Sequence, residues 1–148
     1  MIEKCFVGID TSNYTTSAAV CTVSGEIIAN LKEPLPVRAG ECGLRQSDAV
    51  FAHVRNLPIL MERLGEAIKG REVLAVGCSV RPREAEGSYM PCFLAGRAAA
   101  ESFVAPIGVP VLPFSPMPGA TCFRKPMPSC ARAIASIPAP WPSSRARP

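Results

Sequence analysis

A chain of 148 residues is long enough for one domain with a real core, and its net charge of +4 invites a nucleic-acid reading. The charge distribution excludes that reading for most of the chain. Residues 1–115 hold all twelve acids and eleven of the sixteen Lys and Arg, and the excess comes from Arg124, Lys125, Arg132, Arg145 and Arg147. No apolar run reaches membrane-spanning length. The seven cysteines show neither paired metal spacing nor a disulfide framework, which places the expected compartment in a reducing cytoplasm.

The apolar run 5–9 ends in Asp10, and after Thr11, Ser12 and Asn13 a second apolar run covers 17–23. This pattern predicts two strands joined by a tight polar turn. Ser24-Gly25-Glu26 is a turn signal, and 27–31 reads as a third strand, completing a three-stranded antiparallel meander. Residues 33–43, with two prolines and two glycines, read as a loop. From Ser47 the spacing becomes helical, through Val50, Val54, Leu57, Leu60, Met61, Leu64 and Ile68. Ser47 is the expected N-cap, Asp48 suits the first turn and Gly70 is the expected stop, while Pro58 should kink or divide the helix. An apolar strand follows at 73–80, without polar alternation, as in a sheet covered on both faces. A helix at 92–104, with Gly96 for close packing, and a last strand at 109–114 complete an α/β pattern.

The first turn carries the chemistry. A carboxylate, hydroxyls and backbone N–H groups in one turn suit phosphate and its magnesium, with Asp10 holding the metal or its waters and Thr11, Ser12 and Asn13 donating to phosphate oxygens. The same composition also fits an ordinary polar hairpin. Gly8-Ile9-Asp10-Thr11-Ser12 resembles the first phosphate motif of the actin, sugar-kinase and Hsp70 superfamily. Within it, the segment resembles most the family that makes threonylcarbamoyladenosine in tRNA, known in older usage as glycoproteases or O-sialoglycoprotein endopeptidases (peptidase family M22). That family opens with Gly-Ile-Glu-Thr-Ser-Cys-Asp-Glu-Thr; here Asp10 replaces the Glu, and Asn13-Tyr14-Thr15-Thr16 replaces Cys-Asp-Glu-Thr. The resemblance implies a ribonuclease-H-like (actin-like ATPase) lobe: a mixed sheet with the antiparallel meander, parallel strands and flanking helices. In the intact family the threonylcarbamoyl group of an adenylate passes to the N6 amine of a tRNA adenosine beside the anticodon. A divalent metal, iron or zinc, orients the substrate.

The resemblance continues along the chain. His53-Val54-Arg55-Asn56-Leu57-Pro58-Ile59-Leu60 is similar to the family's His-containing helix, and Leu94-Ala95-Gly96-Arg97-Ala98-Ala99-Ala100 to its Leu-x-x-Gly-x-x-x-Ala helix. His53 has two roles open to it: a helix histidine held by a hydrogen bond, or a weak candidate for a general base given a geometric partner. The family's Gly-Pro-Gly-Leu turn is replaced by the longer, charged stretch 79–91, in which Arg81 and Arg83 either meet an anion or sit in solvent. Family members pair through N-terminal lobes with smaller paralogues, so the implied partner is a homologous lobe or paralogue; tRNA enters only through the intact family, and no membrane is implied. No nucleophile, base and orienting group can be assembled for the old peptidase label.

After Ser115 the composition changes: residues 116–148 hold eight of the sixteen prolines and no acid. We divide the chain into a lobe at 1–115 and a Pro/Arg-rich tail at 116–148, expected to be disordered or frameshifted. The family continues Pro-Phe-Ser with His-x-x-Gly-His, its metal motif, whereas Pro116-Met117-Pro118-Gly119-Ala120 follows here. Reverse translation of 116–128, read from the third base of the Pro116 codon, permits His-Ala-Arg-Gly-His-Leu-Leu-Pro-Glu-Ala-Tyr-Ala. The expectation is a truncated threonylcarbamoyltransferase-like lobe, inactive alone and without a cofactor of its own. The rival readings are a partner-binding lobe and a fragment of a superfamily kinase or ATPase. Sequencing the encoding DNA across Ser115 checks the frameshift: a restored frame with both histidines is expected, and one without them favours the kinase-like reading.

Overall fold

Strand β1 (Glu3–Asp10) is the axis of the molecule: it pairs antiparallel with β2 (Thr15–Thr22) on one side and parallel with β4 (Arg71–Ser79) on the other. Strand β3 (Ile27–Pro34) adds antiparallel to β2, and β5 (Val111–Phe114) parallel to β4. The five strands lie in the order β3-β2-β1-β4-β5, with helix α1 (Gln46–Ile68) between β3 and β4 in sequence and α2 (Cys92–Val104) between β4 and β5. This computed structural model describes residues 1–12, 14–37, 40, 43–82, 87 and 89–115. The expectations for Asn13, Arg83 and the segment 116–148 lie outside the described residues.

The strand alternation decides what covers what. Cys5, Val7 and Ile9 of β1, Ala18 and Val20 of β2, and Val76 and Cys78 of β4 pack with Leu57 and Leu64 of α1 and Ala95 and Ala100 of α2. Both helices therefore lie on one face and seal one core. Full burial of a leucine such as Leu60 or Leu64 contributes about 1.5–3 kcal/mol. The intervening residues form the other face, where Gly8 pairs in register with Ala19 and Gly77, and Phe6 with Ala75. Small residues dominate its centre, and a Cβ on Gly77 would come 3.2 Å from Phe114 Cε1.

Two glycines shape the connections. Gly25, at φ 90, closes the β2–β3 hairpin and donates its N–H to the Thr22 carbonyl at 3.0 Å. Gly70, at φ 75, lets the chain leave α1 directly into β4, as its position predicted. Other expectations are corrected. The N-cap is Arg45 rather than Ser47, which lies inside the first turn, and Arg45 makes no side-chain cap bond. Pro58 neither ends nor divides α1, and its ring is exposed on the side of the helix away from the core. Val54, assigned by spacing to the core face, is 52% exposed, because the true contact stripe runs through Ala49, Ala52, His53, Leu57, Leu60 and Leu64. Strand β3 continues to Pro34, an edge position where proline deprives no neighbouring strand of a donor.

Among the described residues Cys5, Cys78 and Cys92 are free and buried, and Cys21 is buried too, all of them packing as small hydrophobes. Burial, and then the negative field of Asp10, push the Cys78 thiol up from 9.0 to about 12. Among the described residues no helix is long and apolar enough to cross a membrane. The thiol shift fixes a pH dependence: the folded state resists ionising Cys78, so this contribution to stability is complete below pH 9.0 and lost as pH rises toward about 12. Native Cys78 should resist iodoacetamide at pH 8 and react on unfolding in urea, with mass spectrometry of the labelled peptide as the check.

Candidate phosphate-binding turn

The end of β1 sends consecutive side chains to opposite faces of the sheet. Asp10 points to the open face and Thr11 to the helix face, which gives the turn two unrelated sets of partners.

The Asp10 carboxylate is held from two directions. Its own turn supplies the Ser12 N–H to Oδ1 at 2.9 Å and the Ser12 hydroxyl to Oδ2 at 3.0 Å. The end of the parallel neighbour β4 supplies the Ser79 hydroxyl to Oδ1 at 2.5 Å. An ionised carboxylate accepts at about four lone-pair sites, so three donors leave one free, on Oδ2. Such a carboxylate can meet one further donor, a metal-bound water or a ligand hydroxyl. A phosphate oxygen would first need Ser12 to release Asp10. Arg81, two residues past Ser79, is exposed.

Thr11 has no exposed surface. Its hydroxyl donates to the Cys92 carbonyl at 2.8 Å and accepts the Gly96 N–H at 3.1 Å, so it is spent on α2. Gly96 is required there, since a Cβ would lie 2.7 Å from Thr11 Oγ1. Spacing anticipated close packing at Gly96 but assigned the contact to the sheet in general. Tyr14 follows at the turn, half exposed, its carbonyl accepting the Leu35 N–H at 2.8 Å. A Cβ on Gly43 would meet the Tyr14 hydroxyl at 2.7 Å, which keeps the chain after β3 close against the turn. Asn13 lies outside the described residues.

His53 is elsewhere. Asp10 pairs with Ser17, so the preceding Thr16 projects to the opposite face, and there Thr16 Oγ1 lies 2.8 Å from His53 Nδ1. The Asn56 side-chain N–H₂ reaches both Thr16 Oγ1, at 3.2 Å, and the Glu33 carbonyl, at 3.3 Å. A carbonyl only accepts, so the Asn56 amide is the donor to Glu33 and to Thr16 Oγ1 alike, and the Thr16 hydroxyl and the His53 ring share the remaining hydrogen bond. With no exposed surface, the imidazole ties α1 to β2 and β3 and is shut off from the open face that carries Asp10. Among the described residues no three His, Cys, Asp or Glu side chains converge as a metal would require.

Strand order, the parallel and antiparallel halves, and the paired helices on one face make a ribonuclease-H-like, actin-like fold. The same fold occurs in YeaZ from Pseudomonas aeruginosa, at 20% identity and a TM-score of 0.52, over 76% of this chain and 44% of that one. A Pseudomonas aeruginosa protein described as similar to peptidase YEAZ matches at 19% identity and a TM-score of 0.51, over 76% and 43%. The chain thus spans less than half the length of these structures. No protein-family model and no curated protein matches the sequence.

The sequence reading missed Ser79. A serine closing an apolar strand next to the acid-bearing one was its only signal. Replacing Gly96 with Ala tests the α2 contact. Helix propensity favours Ala by about 1 kcal/mol, whereas forcing a methyl against the engaged Thr11 hydroxyl costs about 1–3 kcal/mol. Gly96→Ala is therefore expected to lower the urea midpoint, and an unchanged or higher midpoint would show that the contact yields freely.

Proposed function

We propose that this chain is the N-terminal, actin-like lobe of a protein related to the tRNA threonylcarbamoyladenosine enzymes, and that it is inactive on its own. The observation that carries the reading is Asp10, at the end of β1, anchored by Ser12 and Ser79 with one lone pair left open. The motif resemblance around Gly8-Ile9-Asp10-Thr11-Ser12 and the fold shared with YeaZ support it. In this reading Asp10 orients the water shell of a magnesium–nucleotide, and the Ser12 hydroxyl turns from Asp10 to a phosphate oxygen on binding. The family's divalent metal does not fit the described residues: the lone imidazole is buried and occupied by Thr16. We assign this chain no metal and no step through one. The buried free thiols of Cys5, Cys78 and Cys92 support a reducing cytoplasm as its location.

A second reading has its own observation. Phe51, Val54 and Ile59 of α1 and Leu94 of α2 are large apolar side chains left exposed on the helical layer. Arg55 lies over the Phe51 ring, 5.9 Å from its centroid, at the border of this surface. In this reading the helices dock a homologous lobe or paralogue through apolar contact, and tRNA is met only by the assembled protein.

One wall of a cleft leaves half a nucleotide in water. The purified chain is expected neither to hydrolyse ATP nor to modify tRNA, and calorimetry should find nucleotide binding weak or absent. Stoichiometric, micromolar ATP binding to the monomer would overturn the half-site reading.

A further inference from the structure

Two of the hydrogen bonds around the turn have a consequence beyond holding it. Residues Cys92 and Gly96 stand four apart in α2, so the Cys92 carbonyl and the Gly96 N–H are an i→i+4 pair of the helical ladder in its first turn. Both bond to one atom from another element, Thr11 Oγ1, at 2.8 and 3.1 Å. The hydroxyl has one proton and two lone pairs. It gives the proton to the carbonyl and a lone pair to the amide, as an inserted water would. Side chains that enter a helical ladder this way set the local course of the helix. Gly96 makes room: any other residue would bring a Cβ to 2.7 Å from that oxygen.

The adjacent residue ties down the other side. Asp10 accepts from Ser79, the last residue of β4. Consecutive turn residues thus grip the exit from β4 and the entry into α2. Thr11 and Ser79 have 0% and 1% exposure, so neither hydroxyl can exchange its partner for water without local opening.

We infer that Thr11 is a positioning residue rather than a phosphate ligand, its hydroxyl wedged between the Cys92 carbonyl and the Gly96 N–H in the first turn of α2, and that with Ser79 it makes the turn, the end of β4 and the start of α2 move as one unit. A ligand that engages Asp10 or Ser12 then shifts the seat of α2, and a load on α2 changes the turn. This deepens the nucleotide-site reading and rests on it only for the identity of the ligand; the wedge stands without one.

Amide hydrogen exchange by NMR on the full chain decides the wedge. Val matches Thr in shape but has no hydroxyl, so Thr11→Val blocks the rung without bridging it. Gly96 should then exchange about tenfold faster, beyond any change at Leu60 in α1, which reports global stability. Thr11→Ser keeps the hydroxyl and should hold Gly96 within about twofold of the parent, and Ser79→Ala should speed Gly96 about threefold. Unchanged Gly96 exchange in Thr11→Val, or acceleration no larger than at Leu60, overturns the wedge. An unmoved Gly96 in Ser79→Ala overturns the single unit. Titration with magnesium pyrophosphate, followed at the Ser12 and Gly96 amides, tests the ligand separately. Both should shift along one saturation curve, and in Thr11→Val only Ser12 should respond. A Ser12 shift without a Gly96 shift in the parent sinks the coupling. No shift at Ser12 sinks the nucleotide reading and leaves the exchange results to judge the wedge.

Discussion

The alternation of side chains at the end of β1 is the constraint on which the rest depends. Because Asp10 and Thr11 face opposite sides of one sheet, a two-residue segment joins the turn to β4 on one face and to α2 on the other. Asp10 meets Ser12 and Ser79 on the face that carries no helix, while Thr11 reaches through the core layer to Cys92 and Gly96. A shift of register by one residue would exchange the two and bury a carboxylate against α2, at a cost of several kcal/mol. The pairing of β1 with both β2 and β4 prevents that shift, since six residue pairs on one side and seven on the other would have to move together.

The same logic separates the two polar networks. On the helix face, Asn56, Thr16 and His53 form a hydrogen-bonded chain that also captures the Glu33 carbonyl at the edge strand. This chain fixes where α1 lies over β2 and β3, a job that apolar contacts alone leave free to slide. Arg63 adds a contact from α1 to the Glu33 carboxylate at 3.3 Å, but this pair is half exposed and contributes little. On the open face, the carboxylate of Asp10 is the only charge of its network, and hydroxyls from two elements orient it.

The small side chains of the open face belong to the same picture. Gly8, Gly77 and Ala19 keep the approach to Asp10 low and flat, and Phe114 of β5 lies across Gly77 at its border. The helical layer is crowded and apolar, with Phe51 and Leu94 on its outer surface. The two faces thus differ in character: small residues and the Asp10 carboxylate on one, exposed large apolar side chains on the other.

Local pattern was enough for the order and type of all seven elements, because apolar runs bounded by turn residues and the 3.6-residue spacing of α1 are written in neighbouring positions. It was enough for the place of the turn and for Gly70 as a helix stop, which depend on a few adjacent dihedrals. It failed where the deciding partner is far along the chain. Ser79 stands 69 residues from Asp10, and Gly96 stands 85 from Thr11, so neither contact leaves a mark in either segment alone. Pro58 stayed within α1, and Val54 fell outside the core, because packing against the sheet and water on the far side overrode local preference. Asp10 could be read as a site residue from its turn. That Thr11 beside it serves the helix instead was decided only when β1, β4 and α2 came together, because strand alternation assigns faces and tertiary packing assigns what stands on them.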